Sequence, residues 1–203
     1  MASRTSARAV ATSAALLQAA MEEFSVHGFR RSSMESVARR AGVSRATLYT
    51  HWKGKEELFR ALVRGLHEDH LAAMGAAASE HASGSLEDRL VAVFEARFGQ
   101  WVALTAVSPH AAELYDLHSR LCGDIARDSQ ERSERLLAGL LRDAVRRGEA
   151  DLAASGLSAP KAAAALFDCA HGAKGEDPSS TTPAEFSERL GRIVRLVVSG
   201  LRT

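Results

Sequence analysis

The sequence predicts an all-α protein: a small N-terminal three-helix unit followed by a larger helical body. Three observations carry that prediction. Apolar residues recur three and four positions apart along most of the 203 residues, the spacing that puts them on one helical face. Alternating β-branched runs are few, and only four prolines interrupt a chain rich in Ala, Leu, Arg and Glu. A chain of this length can bury a sizeable core.

Leu17, Ala20, Met21 and Phe24 share one face of the first helix, which ends near Gly28. Ser32 with Glu35 three residues on reads as a capping box that starts a second helix, and Gly42 ends it. Ser44 can cap a short third helix from Arg45, and Gly54 separates that helix from a fourth opening at KEELFRALV. The fourth continues through Leu66 and Leu71 to about Ala78, where HASGS marks a turn. Leu86, Leu90, Phe94, Phe98 and Trp101 then form a single apolar stripe. Ser108 and Pro109 start a shorter helix through Tyr115 and Leu117, because proline is favoured in the first helical turn. A long helix from about Asp124 to Arg147 carries Leu136, Leu137, Leu140 and Leu141 and stops at Gly148, and Pro160 opens another. Gly172 to Thr182 is the clearest loop. Thr182, Pro183 and Glu185 then form a capping box for the last helix, with its stripe of Phe186, Leu190, Ile193, Val194, Val197 and Leu201.

The stretch from Ser32 to Lys55 reads as a helix-turn-helix. Ala38 lies where two helices must cross closely, Gly42 where the turn needs a positive φ, and Leu48 where the third helix needs an inward anchor. Val37, Ala41, Val43 and Leu48 make the buried face; Arg39, Arg40, Arg45, Thr47, Tyr49, Thr50 and His51 include the outward positions that could meet nucleic acid. Charge points the same way. The first 60 residues hold ten Lys or Arg against five Asp or Glu, and the remainder sixteen against twenty, so a net charge of +1 conceals a basic head on an acidic body.

With Ala20, Phe24, Gly28, Phe29, Ser33, Val37, Ala38, the runs Ala41-Gly42-Val43-Ser44 and Thr47-Leu48-Tyr49, His51, Lys55 and Leu58, the stretch from about Leu16 to Val63 resembles the DNA-binding domain of the tetracycline-repressor (TetR) family of bacterial transcription regulators. Ala46 stands where that family often has glycine and Trp52 where it usually has phenylalanine. The resemblance implies a helix-turn-helix domain over 1–55 and an effector-binding and dimerisation domain over 56–203. It implies a cytoplasmic regulator, most often a repressor, that binds a palindromic double-stranded operator as a homodimer and is released by a small molecule. The DNA-contacting set is then Ser33, Arg45, Thr47, Tyr49, Thr50, His51 and Lys55. Arg45, Thr47 and Thr50 fall at base edges or nearby phosphates, Tyr49 and His51 at phosphates, and Lys55, at a helix N-terminus, at a backbone phosphate. Arg4 and Arg8 are candidate arm contacts.

In the same family the last two long helices pair with their symmetry mates as a four-helix bundle. That places Ala163, Phe167, Phe186, Leu190, Val194, Val197 and Leu201 in a dimer interface, with the small residues Ala162 to Ala165 permitting close approach. A cavity in the larger domain is implied as well. Its candidate lining is Phe94, Phe98, Trp101, Tyr115, His118, Phe167 and His171, a set suited to an apolar or aromatic ligand.

Other chemistries find less support. Cys122 and Cys169 make no disulfide framework and read as buried small hydrophobes. No signal peptide is convincing and no apolar run approaches membrane-spanning length, so no membrane partner is expected. No Ser-His-Asp order, phosphate-binding glycine loop or C-x-x-C pattern occurs, so no enzyme activity and no cofactor are expected. His67 and His70, three apart on one helical face, and His110 with Glu113 have a spacing that can bind zinc but lack further ligands, so no metal site is assigned. Two alternatives stand beside the regulator: a DNA-binding architectural or cell-cycle protein without an inducer, and a helical metalloenzyme using His67 and His70.

Overall fold

A computed structural model describes residues 2–175 and 181–201, with side chains from residue 13 onward. Arg4 and Arg8 therefore lie outside the described side chains, and part of the expected loop at Gly172 to Thr182 lies outside the described residues. The elements are helical: α1 (Ala2–His27), α2 (Met34–Arg40), α3 (Arg45–His51), α4 (Lys55–Glu80), α5 (Leu86–Val107), α6 (Ala111–Leu121), α7 (Gly123–Arg146), α8 (Ala159–Gly172) and α9 (Pro183–Gly200). The fold is all-α.

The chain divides into two compact units, one of residues 1–66 and 108–125, the other of 67–107 and 126–203. This differs from a simple cut at 55/56. α6 belongs with the N-terminal helices because Leu114, Leu117 and Cys122 join the core of Leu16, Ala20, Phe24, Val37, Ala38, Leu48 and Leu58. Phe24, Phe29 and Phe59 form the centre of that core, with ring centroids 5.4, 6.0 and 5.5 Å apart in tilted and edge-on arrangements that aromatic quadrupoles favour.

The caps explain where the short helices begin. Ser33, not Ser32, is the N-cap of α2: its hydroxyl accepts from the Ser36 amide at 3.0 Å while the Ser33 amide donates to Ser36 Oγ at 2.9 Å. The expected Ser32–Glu35 box is thus one residue out of place. The Ser32 hydroxyl is drawn elsewhere, donating to the Gly28 carbonyl at 2.6 Å and closing the end of α1. Ser44 caps α3 as expected, accepting from the Thr47 amide at 3.1 Å. Gly42 turns the corner at φ +68°, and Gly28 ends α1 at φ +78°.

α6 begins two residues later than its proline suggested. Pro109 lies in the preceding turn and His110 flanks the helix. That turn is pinned because the Ser108 hydroxyl donates to the Ser25 carbonyl at 3.0 Å. On the next turn Glu113 accepts the Arg30 amide at 2.8 Å, so α6 holds the α1–α2 connection within the first unit.

In the second unit α9 packs along α5 and α8. Leu86, Leu90, Phe94 and Phe98 of α5 are buried, as the stripe foretold, and Trp101 is half-buried. α5 is long and apolar enough to span a membrane by composition, contrary to the expectation of no such run. Its apolar positions are instead the middle of a helical core, and Arg89 and Arg97 stand among them. The Thr182–Glu185 box forms as expected, with the Glu185 amide 3.2 Å from Thr182 Oγ1 and the Thr182 amide 2.9 Å from Glu185 Oε2.

Gly28 and Gly42, the left-handed glycines of the first unit, test its packing. A Cβ on Gly42 meets nothing within 4 Å, whereas one on Gly28 would fall 2.4 Å from Glu113 Oε2 and 2.9 Å from His110 Nδ1. Gly42→Ala should therefore cost about 1 kcal/mol from backbone conformation alone. Gly28→Ala should cost about 2 kcal/mol or more, since it also pushes Glu113 off the Arg30 amide. Urea unfolding compares them, and equal losses would show that α6 does not brace the α1–α2 connection.

Candidate functional site

α3 is anchored by Leu48, which is fully buried, and turns Arg45, Ala46, Tyr49 and Thr50 outward on one exposed face. The spacing follows from the 3.6-residue period: 45 and 49 share a row, as do 46 and 50. Arg45 lies along Tyr49, its Nη2 3.5 Å from the hydroxyl and its Cζ 5.3 Å from the ring centroid. The guanidinium is thus held in a defined posture on an exposed helix, with no carboxylate paired to it among the described residues. Thr47 is half-buried and its hydroxyl meets Ser44 Oγ at 2.8 Å; the Thr50 hydroxyl donates to the Thr47 carbonyl at 2.6 Å. His51 is exposed beside Trp52, with ring centroids 5.3 Å apart. Ser33 is exposed at the start of α2, its hydroxyl already engaged in the cap.

Lys55 departs from its expected place. Its ammonium donates to the carbonyls of Phe29 at 2.6 Å and Ser32 at 2.8 Å and lies 4.3 Å from the Phe29 ring centroid. Burial lowers its pKa, partly offset by Glu113 and Glu56. Lys55 therefore ties the first turn of α4 to the α1–α2 connection instead of presenting a free charge to phosphate. Glu56 and Glu57 occupy the exposed first turn of α4, which makes that terminus a poor anion site. Arg40 is also committed, 2.8 Å from the buried Glu23 carboxylate. Desolvation opposes the Glu23 charge, but the Arg40 and Ser36 hydrogen bonds outweigh it and lower the pKa. Among the described residues, Arg39, Arg45 and Lys53 are exposed cations near the corner that form no ion pair.

The second unit gathers part of the expected ligand set. Phe98 lies 6.3 Å from Phe94, 5.5 Å from Phe167, 5.9 Å from His171 and 6.5 Å from Phe186, centroid to centroid. Desolvation and the Lys174 ammonium keep His171 neutral by lowering its pKa to about 4, although one edge of the residue stays open to solvent. Tyr115 and His118 belong to α6 in the first unit, Tyr115 exposed and His118 half-buried. Sequence reasoning missed Arg97 and Lys174, both buried against Phe98. The available signal was a cation within the apolar stripe of α5.

The expected dimer stripe is largely the inside of one chain. Ala163, Phe167, Phe186, Leu190, Val194 and Leu201 are all buried in the core of the second unit, and Val197 is half-buried against it. Positions 186, 190, 194 and 198 are buried within the core of the second unit and so are covered by this chain itself. The outward residues include Ala165, Asp168 and Cys169 of α8 and Glu188, Arg192, Arg195 and Leu196 of α9. Cys169 is thus exposed, not the buried hydrophobe expected, whereas Cys122 is buried and desolvation pushes its thiol up to about 11. His67 accepts or donates at Ser129 Oγ, 3.0 Å away, and its ring lies 6.3 Å from His70. No group of three or more side chains suited to a metal ion occurs among the described residues.

Residues 16–62 match the model of the bacterial regulatory proteins, tetR family. The chain is 31% identical over 176 residues to the HTH-type transcriptional regulator TtgR of Pseudomonas putida, covering 82% of this chain and 80% of that one. The chain belongs to the TetR family. It is 30% identical to the HTH-type transcriptional repressor BepR of Brucella suis over 211 residues, 98% of this chain and 96% of the other. The fold is shared with a Mesorhizobium loti protein classed with TetR-family regulators (TM-score 0.73, 20% identity, 97% and 99% of the two chains). It is shared also with SmeT, solved as a complex with triclosan (TM-score 0.65, 18% identity, 95% and 92%). As a TetR-family member the protein is a DNA-binding transcriptional regulator, a class that is not enzymatic.

Lys55 gives this site its own test. Lys55→Met keeps the stem over Phe29 but removes both carbonyl bonds, and should cost about 1–3 kcal/mol of stability. Chemical unfolding measures the loss; a variant as stable as the wild type would mean the ammonium does not secure the α1–α2 connection.

Proposed function

We propose that the protein is a repressor acting in the cytoplasm as a homodimer on an inverted-repeat operator. α3 lies in the major groove, and a small apolar or aromatic molecule bound in the 56–203 region lowers operator affinity. The observation that carries this reading is the exposed Arg45–Tyr49–Thr50 face of α3, fixed from behind by Leu48 and flanked by Arg39 and Lys53, which form no ion pair among the described residues. Base contacts come from Arg45, Thr47 and Thr50; Tyr49, His51, Ser33 and Lys53 serve phosphates. One short helix reads few base pairs, so two heads related by a two-fold axis are needed for specificity.

The dimer contact lies on the outward faces of α8 and α9. Leu196 is 76% exposed there, next to Arg195 and one turn on from Arg192, and α8 exposes the small residues Ala165 and Cys169. A large apolar side chain held in water on the last helix fits an interface centre with a charged rim. The effector region is the Phe98–Phe167 cluster, where aromatic walls suit an apolar body. The SmeT–triclosan complex supports that reading by showing an aromatic molecule held on the same fold.

Two measurements test this. Anisotropy titration with a duplex selected from random sequence should show affinity falling steeply with salt, by about three to five orders of magnitude between roughly 50 and 200 mM if each dimer makes about six to ten phosphate contacts. Arg45→Ala should cost about 1–3 kcal/mol and relax preference at one base position per half-site. A uniform loss across operator variants would remove base reading from Arg45, and salt-insensitive binding would contradict the phosphate contacts.

Leu196→Glu should give monomers by light scattering, with wild-type helical content and far weaker operator binding, because each dimer would bury two unpaired carboxylates. A dimeric Leu196→Glu variant with wild-type DNA affinity would place the contact on another surface.

A further inference from the structure

Two arginines occupy buried positions of α5, and they are treated differently. Arg89 lies 3.3 Å from Asp143 Oδ2 and is hydrogen-bonded to Glu149, so its charge is neutralised by two carboxylates. Two turns on, Arg97 is 7% exposed and forms no ion pair among the described residues. Among the described residues its Nη2 meets Ser129 Oγ and His67 Nδ1, each at 3.4 Å, and its Nε has no hydrogen-bond partner. Buried donors without partners are rare, because nothing then offsets the cost of taking them out of water.

A second buried cation lies nearby. Lys174 is also 7% exposed, and its Nζ contacts a neutral partner, His171 Nε2, at 2.8 Å. Both charges sit against the same ring: Arg97 Cζ is 5.0 Å and Lys174 Nζ 5.1 Å from the Phe98 centroid, with Arg97 also 5.8 Å from Phe167. Desolvation lowers Arg97 to about 10 and Lys174 to about 8, Arg97 adding to the latter shift by repulsion. Aromatic faces offset only part of such a burial cost. The other buried unpartnered atom among the described residues is Nδ1 of His70, kept neutral by desolvation and by the Arg97 charge.

We propose that Arg97 and Lys174 bind the anionic head of an amphiphilic effector, a carboxylate joined to an apolar or aromatic body that packs on Phe98 and Phe167. The inference deepens the assignment of this region as the effector site and rests on it for the regulatory consequence. The unpartnered donor of Arg97 is Nε, and with one N–H of Nη2 it forms a parallel pair whose spacing matches the two oxygens of a carboxylate. An apolar cage suits one delocalised charge better than a strongly hydrated phosphate dianion. Lys174 then supplies a second cation for the same anion, and the repulsion between the two becomes shared attraction. A buried charge that weakens the empty protein but strengthens the occupied one is the arrangement expected of a ligand site.

The test uses the full chain with carboxylates from hexanoate to dodecanoate and phenylbutyrate, against decanol and decyltrimethylammonium. Calorimetry should show saturable binding of at least one carboxylate, about tenfold or more tighter than decanol, with the cationic amphiphile excluded. Arg97→Met and Lys174→Met should each remove that preference. Arg97→Met should fold with an unchanged or raised Tm, because an apolar side chain replaces an unpaired buried charge. Equal binding of decanoate and decanol, carboxylate binding untouched in Arg97→Met, or a folded wild type that binds none of the carboxylates each overturns the proposal. Operator anisotropy on the same samples separates the two readings. A carboxylate that binds through Arg97 without changing operator affinity keeps the anion site and removes its effector role. Operator release by decanol as effective as by decanoate, and indifferent to Arg97→Met, keeps the effector region and removes the anion site.

Discussion

The crossing of α2 and α3 over Leu48 is the constraint on which the DNA-facing surface depends. Ala38 is small enough to let the helices approach, Gly42 takes the positive φ that reverses the chain, and Leu48 plugs the space between them and the Phe24, Phe29 and Phe59 rings. With Leu48 inward, the helical period leaves Arg45, Tyr49 and Thr50 outward. The rest of the first unit serves that corner. Lys55 reaches back to the carbonyls of Phe29 and Ser32, and Glu113 of α6 takes the Arg30 amide, so the connection between α1 and α2 is held from two sides.

The way each unit handles charge separates structure from function. Arg40 is matched by Glu23, Arg60 by Asp124 at 2.7 Å, and Arg89 by Asp143 and Glu149. The Arg60 hydrogen bond holds the Asp124 carboxyl well below the usual carboxylate range. Against that background two sets of cations stand out. Arg39, Arg45 and Lys53 are exposed near the corner, in contact with solvent; Arg97 and Lys174 are buried. The first set suits a polyanion met at a surface, the second a single anion taken inside.

How much of this was legible in the sequence depended on how local the determining interaction is. Thr182 and Glu185 cap α9 as read because both partners lie within one turn. The α2 cap was read one residue early because two serines are adjacent, and only the third dimension shows that Ser32 is taken by the Gly28 carbonyl. Lys55 was misplaced for a stronger reason: its acceptors lie 26 and 23 residues upstream. The stripe on α9 was legible as apolar but not as to what covers it, since Leu190 and Val194 look the same facing α5 or a second chain. Arg97 shows the same limit. A cation in an apolar stripe is visible in the sequence, yet Arg89 has the same signature and is fully paired.

The central claim is that α3 meets DNA while the carbonyl-bound Lys55 and the buried stripe of α9 do not. An amide chemical-shift titration of the isotope-labelled full-length protein with a duplex selected from random sequence tests it directly. The account predicts the largest changes from Ser44 to Lys53 and at Ser33, with α9 unaffected and the Lys55 ammonium still bound to its carbonyls. Changes centred on α8 and α9, or release of Lys55 to a phosphate, would contradict it.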